Sequence, residues 1–482
     1  MSSVRLGWYL RRLRGMSVTE VAYRTLDVGR RRTWARRQVR PGEVAPLPAG
    51  VAADRAFSSP LPAPARAGVA PHAASALVRA ADSVLAGTWK VLGTPRADSA
   101  DPDWFRDPLT GRRAPDQRLA FRINHRDETE TGNIKHVWEM SRHHHLTVLA
   151  AAWWLTEDER YAENAAHQLR SWWAANPLLT GVHWTSGIEA GIRLISWVWI
   201  RRLLDDWPKA GDLFEHNDAA VRQIGWHQEF LAAFPSRGSS ANNHVVAEAA
   251  GRLAAACAFP WYAGTSRWRR SAAALLEREL AANTFDDGLN RELATDYHRF
   301  VLELGLLAAV EADAHGHDLS AATWQRLAAM IDAGAAILDA KGRAPRQGDG
   351  DEGRALVVDD PDRDPWATVL GSGAALVVAP DWWPAFDRGV QASVVGALGR
   401  TRRLPRPPVQ PRLFPDAGLV IMRSRPQDGP EIWCRCDGGP HGFLSIAAHA
   451  HADALSLEVR HDGVDVLADP GTYCYHGESE WR

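Results

Sequence analysis

Apolar residues recur at helical spacing from about residue 74 to residue 338, and short polar turns separate the apolar stretches. One such stretch runs from His136 to Trp154, and a second begins at Tyr161 after a polar turn. Two amphipathic stretches joined by a short turn predict an antiparallel helical hairpin. Hairpins in series curve either into an open solenoid or into a closed α/α barrel. Further predicted hairpins pair 187–204 with 219–234 and 243–258 with 268–282.

The pattern changes after Lys341, where Gly, Pro and Asp separate short apolar segments. Segments of this length, bounded by turn residues, are typical of β-strands. The last two segments are joined through Asp462 and Gly463, and Asp-Gly between two apolar runs is a strong hairpin signal. We therefore expect a helical domain followed by an all-β domain. The predicted strands are 418–422, 431–436, 454–459 and 464–467.

Length and composition are typical of a multidomain globular protein. With 482 residues, of which 45% are hydrophobic and 24% charged, the chain has the size of two or three domains. No stretch has the length and the lack of charge of a membrane span, so we do not expect a transmembrane protein. Four cysteines without a Cys-x-x-Cys pair indicate neither a disulfide framework nor a thiolate zinc site.

The formal net charge of −2 conceals a basic N-terminal segment, because residues 1–40 are dense in arginine and poor in acids. We expect a basic helix there, which is either simply solvated or a contact for an anionic polymer or a membrane surface. Arginines interrupt the apolar run after Met1, so no signal peptide is visible and the sequence predicts a cytoplasmic location. Residues 41–75 are rich in Pro and Ala and predict a linker.

Two polar clusters stand at predicted helix starts. Asn242, Asn243 and His244 precede the apolar run of one helix, where they are either a helix cap or a group of converging donors. Tyr297, within an Asp-Tyr-His sequence, precedes another apolar run. A tyrosine near a helix start can expose its hydroxyl to a groove, although most single tyrosines are structural.

A third cluster has the pattern His-x-His-x-Asp and enters a predicted strand at His449, His451 and Asp453. Alternate residues of an extended segment face the same side, so the three side chains can point at one metal ion or one substrate. The alternative is a polar strand edge that faces solvent. Asp469 ends the paired strand and is expected to approach the same place.

Other polar and aromatic residues are weaker candidates for a glycan-binding groove. His125 and Arg126 lie in a polar turn. His183 and Trp184 lie in a glycine-bounded loop, where an indole can stack on a sugar ring. Residues 142–145, Arg-His-His-His, cannot direct consecutive imidazoles of a helix at one metal ion, so we expect them to line the groove or cap the helix.

The three clusters, in this order, resemble the heparinase II/III family of polysaccharide lyases, and the resemblance spans roughly residues 124–482. Asn-Asn-His, Asp-Tyr-His and His-x-His-x-Asp, with a later Asp-Pro-Gly-Thr-Tyr, carry it. The family cleaves uronic-acid-containing polysaccharides by β-elimination. The resemblance implies an α+β multidomain fold, with an N-terminal α/α toroid at 76–340 and an antiparallel β-sandwich at 341–482. The strands after residue 340 are too few for a complete sandwich, so we expect a truncated one.

The resemblance also implies roles for single residues. Asn243, or its neighbour Asn242, and His244 match the groups that bind and neutralise the uronate carboxylate. Tyr297 matches the catalytic tyrosine, and His449 matches the histidine of the sandwich that faces the substrate. We therefore expect catalytic roles for Tyr297, His449, His244 and Asn243, and substrate contacts for Asn242, His125, Arg126, His183 and Trp184.

A structural zinc ion is the cofactor that the resemblance implies. His451 and Asp469 match two of its ligands, and the third, a histidine on a later strand, is expected beyond Arg482. We expect no organic cofactor, an acidic polysaccharide as the partner and no nucleic acid, whereas the sequence leaves the oligomeric state open. Members of the family are commonly periplasmic or secreted.

Two other functions are compatible with these residues. A glycoside hydrolase on an α/α barrel needs two carboxylates across the scissile bond, whereas the marked positions are Asn, His and Tyr. A non-catalytic protein could bind an acidic glycan in the same groove. The carboxylates available to a hydrolase are Glu189, Glu248, Glu292 and Asp296.

Overall fold

The structure of the protein is a computed structural model, which describes residues 18–350, 352–425, 427, 429–444 and 447–472. Helices form the larger part of it, and an antiparallel sheet follows them in the chain. This arrangement confirms the predicted order of a helical domain before a β domain. None of the described helices combines the length and the apolar character that crossing a bilayer requires.

Successive antiparallel helices joined by short turns make up the helical body, as the amphipathic pattern predicts. The hairpin predicted over 187–204 and 219–234 corresponds to the helices Gly187–Leu203 and Asp218–Ala233, and the next hairpin corresponds to Asn243–Ala258 and Thr265–Ala282. The helices are α1 Val18–Trp34, α2 Pro71–Leu85, α3 Glu128–Thr131, α4 Ile134–Met140, α5 His144–Thr156, α6 Glu159–Ala175, α7 Gly187–Leu203, α8 Ala210–Leu213, α9 Asp218–Ala233, α10 Asn243–Ala258, α11 Thr265–Ala282, α12 Thr295–Ala314, α13 Ala321–Ile337, α14 Pro365–Leu376 and α15 Val390–Leu398.

The first predicted helix is divided in the structure. A single helix was expected from His136 to Trp154, but α4 ends at Met140 and α5 begins at His144. His143 between them has a φ of 67°, in the left-handed region that an α-helix does not contain. The apolar spacing continues across the break, so the pattern alone predicted one helix where there are two.

Helix α10 lies at the centre of the helical body and packs against α7, α11 and α12. Its contact with α7 is close because two glycines face each other. A Cβ atom on Gly251 would collide with the carbonyl oxygen of Gly191. The two helices therefore approach at backbone distance, and this contact fixes the start of α10, which carries Asn243, relative to the start of α7.

The predicted linker at 41–75 is attached to the helical body along much of its length. The indole nitrogen of Trp226 donates a hydrogen bond of 3.0 Å to the carbonyl oxygen of Pro46. The amide of Ala52 donates a bond of 2.8 Å to the carbonyl oxygen of Trp261. Helix α2 already begins at Pro71, inside the expected linker. Proline content predicted an irregular segment correctly, but the body of the protein satisfies its backbone groups, so it is a strap rather than a free linker.

The helical body also extends beyond the expected boundary at residue 340. Helices α14 and α15 follow that residue and pack against α12, α13 and each other. The Gly, Pro and Asp content of this segment predicted strands and turns. Here Asp364 caps α14 through a bond from the amide of Ala367, and Pro365 occupies the first turn, where proline is tolerated.

Among the described residues, the sheet after α15 has five antiparallel strands in sequential order. The predicted strand at 454–459 begins later than expected, because Leu455 has a φ of 64° and interrupts an extended conformation. The predicted hairpin is confirmed, since Asp462 and Gly463 both have the positive φ that a two-residue turn requires. The strands are β3 Leu413–Phe414, β4 Leu419–Arg423, β5 Ile432–Asp437, β6 Leu457–His461 and β7 Val464–Leu467, and the earlier strands β1 Trp89–Val91 and β2 Thr94–Arg96 form a separate hairpin.

A buried charge network joins this sheet to the segment that leaves the helical body. Arg435 on β5 donates to Glu458 on β6 at 2.8 Å, and Arg460 bonds Glu458 at 3.2 Å. Glu458 also accepts a bond of 2.9 Å from the amide of Arg346. Buried charged groups that hydrogen-bond to one another in this way hold the segments that carry them in one relative position. The segment around residue 346 and the sheet are thereby held as one unit beside α12.

Candidate active site

One cavity of about 450 Å³ brings together residues that are far apart in the sequence. It lies where the start of α10, the start of α12 and the loop before β6 converge. Side chains from the helical body and from the β domain both line it. The predicted site residues on its wall are His125, Arg126, Asn243, His244, Tyr297 and His449.

The start of α10 explains why two neighbouring asparagines have different roles. The side chain of Asn242 accepts a hydrogen bond of 3.2 Å from the amide of His244, so Asn242 is the N-cap of the helix. It is buried and is not among the cavity-lining residues, which corrects the substrate contact expected of it. The cap aligns the first turn so that Asn243 and His244 both reach the cavity.

Glu292 lies directly beneath Asn243. Its carboxylate accepts 3.1 Å and 2.8 Å hydrogen bonds from the backbone amide and the side-chain Nδ2 of Asn243. A carboxylate only accepts, so the amide group of Asn243 is fixed with Nδ2 towards Glu292. The side chain of Glu292 is fully buried, and this burial raises its pKa, whereas His449 and the bonds from Asn243 act to lower it.

A neutral histidine holds the loop that carries Glu292. The amide of Asn290 donates to Nδ1 of His298 at 3.1 Å, and Nε2 of His298 donates to the carbonyl oxygen of Met330 at 3.0 Å. Burial lowers the pKa of His298 to about 4, so the ring is neutral with its proton on Nε2. His298 follows Tyr297 in the first turn of α12, and these bonds therefore fix the position of the tyrosine as well.

Tyr297 and His449 meet across the boundary between the helical body and the β domain. Their rings are stacked, with 3.7 Å between the centroids and 20° between the planes. Tyr297 is 6% exposed, and Nε2 of His449 lies 3.5 Å from Glu292. Two groups able to transfer protons thus lie side by side on one wall of the cavity, next to the amide of Asn243.

Asp349 holds the two histidines of the His-x-His pattern. Its carboxylate oxygens lie 3.1 Å from Nδ1 of His449 and 2.7 Å from Nε2 of His451. His449 has a φ of 68°, so the segment is a loop and not the extended strand that was predicted. The two imidazoles nevertheless converge on one point. Asp453 lies behind them and accepts a bond of 2.8 Å from the amide of Gly348.

The sequence did not single out Asp349. It occupies a Gly-Asp-Gly-Asp segment, which reads as a turn, and nothing in that segment distinguishes one aspartate from the next. The sequence signal for this contact came from the partners of Asp349, because two histidines in alternation, His449 and His451, indicate a shared contact.

An ion-paired arginine forms another part of the cavity wall. Arg142 donates two parallel hydrogen bonds, of 2.8 Å and 2.9 Å, to Glu189 on α7 and contacts Glu139 at 2.6 Å. Bidentate pairs of this kind fix the plane of the guanidinium group. His125 contacts the ring of Trp138 nearby, with 5.1 Å between the ring centroids.

His183 and Trp184 were expected to contact the substrate, but neither lines the active-site cavity. Both are buried, at 0% and 1% exposure. Nε2 of His183 bonds the carbonyl oxygen of Trp104 at 2.8 Å, and the indole of Trp184 donates to the carbonyl oxygen of Asn176 at 3.3 Å. The glycine-bounded loop folds inward and places its aromatic rings in the core, so neither residue lines the active-site cavity, and Trp184 contributes instead to the wall of a neighbouring cavity.

Each of the two predicted zinc ligands has another hydrogen-bond partner in the structure. Nε2 of His451 is engaged by Asp349, and the carboxylate of Asp469 accepts a bond of 2.7 Å from the amide of Gly471. Within the described ranges, no three His, Cys, Asp or Glu side chains gather at metal-binding spacing. This donor set does not fit a zinc ion by itself, so zinc binding stays a prediction.

The arrangement of carboxylates does not suit a glycosidase. Among the described residues that line the cavity, Glu139 and Glu189 are the carboxylates, and both are ion-paired with Arg142. Glu248 lines a neighbouring cavity, and Asp296 lines another. Hydrolysis needs a carboxylic acid and a carboxylate that face each other across the substrate. The groups that face this cavity are instead an amide, imidazoles and a phenol.

Known proteins of the same kind match both parts of the chain. The family model described as Heparinase II/III N-terminus matches residues 101–360, which is over half of the chain. The model described as Heparinase II/III-like, C-terminal matches residues 406–482. The matched segments include all the residues of the active-site cavity.

Two curated relatives are both named heparin-sulfate lyase. The protein from Bacteroides stercoris is 25% identical over 364 residues, which are 71% of this chain and 50% of the relative. The protein from Pedobacter heparinus is 24% identical over 180 residues, which are 36% of this chain and 26% of the relative. The chain thus spans about half the length, or less, of these relatives.

A solved structure shows the same fold. The crystal structure of heparinase III superposes with a TM-score of 0.54 at 15% identity, covering 86% of this chain and 60% of that one. An α/α toroid followed by an antiparallel β domain is therefore the fold of this chain. By its matched segments, its fold and the cavity that both domains build, the chain belongs to the heparinase II/III family.

Proposed function

We propose that this protein is a polysaccharide lyase that cleaves a uronic-acid-containing glycan by β-elimination. The observation that carries the proposal is the contact of Tyr297 with His449, 3.7 Å apart between ring centroids, beside the fixed amide of Asn243. A phenol and an imidazole supply proton transfer, and the amide supplies a neutral donor for an anion. Membership of a family with lyase members supports the proposal independently.

The chemistry explains why these residue types are needed. The proton on C5 of a uronate is weakly acidic, and its removal places negative charge on the adjacent carboxylate group. Donors aimed at that carboxylate stabilise the charge in the transition state. We assign this role to Asn243, whose second Nδ2 proton remains for substrate when the first is donated to Glu292, and to His244 beside it.

Tyr297 and His449 carry the proton transfers. A base takes the C5 proton, the electron pair forms the C4–C5 double bond, and the bond from C4 to the bridging oxygen breaks. An acid protonates the departing oxygen, so atoms and charge balance without water entering the products. Which of the two residues is the base follows from the stereochemistry of the substrate at C5.

Cationic side chains support an acidic substrate. Arg126, Lys135 and Arg142 line the cavity, and Arg126 is exposed to solvent. Since the two curated relatives are named heparin-sulfate lyases, heparan sulfate is the first polymer to test. A uronate is the part of that polymer which the assigned residues recognise.

The experiment is a panel of uronic-acid polysaccharides incubated with the protein while ultraviolet absorbance is recorded. Elimination creates an unsaturated uronate that absorbs, whereas hydrolysis creates none. We expect absorbance to rise with at least one polymer and the rise to be lost in Tyr297→Phe and in His449→Ala. New reducing ends without absorbance would contradict the proposal. A wild type that binds a polymer without cleaving it, with the same binding in Tyr297→Phe, would contradict it as well.

A further inference from the structure

A second cavity, of about 590 Å³, adjoins the active-site cavity. His125 lines both of them. Ser186, on the wall of the active-site cavity, lies in the chain between Thr185 and Gly187, which line the second. The volume of the second cavity is within the range of sites that bind small molecules or single segments of a polymer. A glycan held in the active site would therefore reach the second cavity directly.

One wall of the second cavity is a face of helix α1. Tyr23, Asp27 and Arg31 line the cavity and follow one another at intervals of four residues, so they lie on one side of the helix. The helix is tied to the toroid at this place. Tyr23 donates from its hydroxyl to the carbonyl oxygen of Pro235 at 3.3 Å, and Arg30 donates to that of Ala233 at 2.9 Å. The wall is therefore a fixed part of the molecule.

The exposed charge of this cavity is positive. The side chain of Arg31 is 51% exposed, while its ion-pair partner Asp27, at 2.7 Å, is 17% exposed. The other carboxylate of the wall, Glu248, is buried and accepts two hydrogen bonds of 2.7 Å from Ser236. The acidic groups are thus recessed, whereas the guanidinium group of Arg31, which pairs with Asp27, also reaches the solvent in the cavity.

Aromatic rings lie under the cations. The guanidinium carbon of Arg31 is 5.4 Å from the ring centre of Phe121 and 6.0 Å from that of Phe234. The guanidinium carbon of Arg237 is 4.5 Å from the ring centre of Tyr23. A ring beneath a guanidinium group limits its motion and holds it over an apolar surface. Fixed cations beside aromatic faces are the combination that an acidic sugar requires, with charge for its carboxylate or sulfate and a face for its ring.

Helix α1 also stands outside the segments that the family models match, which begin at residue 101. We propose that α1 completes a subsite in which Arg31 and Arg237 bind an acidic sugar of the same polysaccharide, beyond the residues at the bond that is cleaved. This inference rests on the proposed function, because it extends the path of the substrate from the active-site cavity. The basic N-terminal helix thereby contacts an anionic polymer rather than only solvent.

The test compares two charge changes on one helix. Arg31→Gln removes the cation in the cavity, and Arg32→Gln removes an exposed arginine of α1 that does not line it. With heparan sulfate, or another panel polymer that the wild type cleaves, we expect Arg31→Gln to raise KM roughly three- to fivefold with kcat unchanged, the scale of one half-exposed charge contact. KM should differ more between Arg31→Glu and Arg32→Glu than between the two glutamine variants, again with the higher value for the variant of Arg31.

Binding without turnover separates this inference from the proposed function. In affinity electrophoresis through gels containing the same polymers, the wild type and Arg32→Gln should be retarded equally and Arg31→Gln less. Equal retardation and equal KM of the Arg31 and Arg32 variants would overturn the subsite, and so would a wild type that no acidic polymer retards. A difference in retardation without any unsaturated product would keep the subsite and remove the lyase.

Discussion

Replacing Glu292 by Gln tests whether the buried carboxylate positions the active site. The substitution keeps the size of the side chain and one acceptor oxygen. It places an NH₂ group either at Oε2, which now accepts from Nδ2 of Asn243 at 2.8 Å and faces Nε2 of His449 at 3.5 Å, or at Oε1, which accepts from the backbone amide of Asn243 at 3.1 Å. In either orientation a donor of the glutamine faces a donor of Asn243, so Asn243 loses one of the two contacts that the carboxylate imposes.

The expected loss follows from the bond that is removed. Hydrogen bonds to a charged group contribute about 1.5–3 kcal/mol, and one of the two bonds from Asn243 is retained by the carbonyl oxygen of the glutamine. Because about 1.4 kcal/mol is a factor of ten in rate, kcat/KM should fall roughly 10- to 100-fold. Glu292 is buried and does not line the cavity, so the change acts through Asn243 and His449.

The assay is the initial rate of ultraviolet absorbance over a range of pH. Glu303→Gln is the matched control, because Glu303 is also buried and also accepts from one backbone amide, that of Ala355 at 2.8 Å, and one side-chain amide, that of Gln391 at 3.2 Å. The control should retain the wild-type rate, and the pH profile of Glu292→Gln should shift while that of the control does not. A kcat/KM of Glu292→Gln within twofold of the control, or equal losses in both, would refute the positioning role.

Three further substitutions address the loop, the pH response and the helix packing. Asp349→Asn should lower kcat about tenfold, because a single amide cannot accept from both His449 and His451; the imidazole signals of the folded variant in NMR should shift. Burial raises the pKa of Glu248 from 4.5 to about 7, so the native state keeps a proton that the unfolded chain releases in that window. The free energy of unfolding should therefore fall by about 3 kcal/mol as the pH rises from 4.5 to 7, and Glu248→Gln should lack this slope in urea titrations. Gly251→Ala should destabilise the protein by about 1–3 kcal/mol, measured the same way, since its Cβ meets backbone.

Each of these substitutions has an outcome that contradicts it. Asp349→Asn with unchanged kcat and unchanged imidazole signals would separate the aspartate from the site. An equal pH slope in Glu248→Gln and wild type would assign the slope to other groups. Gly29→Ala is the control for the glycine, because Gly29 lies in α1 with nothing near its Cβ position; equal stability of the two alanine variants would contradict the close helix contact.

The sequence predicted best where chemistry and pattern coincide. Asn243, Tyr297 and His449 stood out in the sequence as members of polar motifs, and the structure brings them to one cavity. The amphipathic period likewise predicted α7, α9, α10 and α11 to within a few residues. Local patterns of this kind depend on neighbours in the chain, which a single sequence contains.

Other features depend on contacts that a single sequence does not contain. His183 and Trp184 occupy a loop whose glycines suggest exposure, but the loop folds into the core. Helix α14 was missed because its Gly, Ala and Pro residues resemble turn composition and its burial against α12 and α13 makes it helical. Asp349 became a candidate only when the fold placed it between two histidines 100 and more residues away.

The most direct test of elimination is to run the reaction in water enriched in heavy oxygen and weigh the products by mass spectrometry. Elimination breaks the bond without water, so each new end should lack solvent oxygen, and one product should be unsaturated. Hydrolysis would add one heavy oxygen to each new reducing end. Products free of heavy oxygen from the wild type, and absent with Tyr297→Phe, are the result we predict. One heavy oxygen for each bond cleaved would contradict the assignment of this cavity to a lyase.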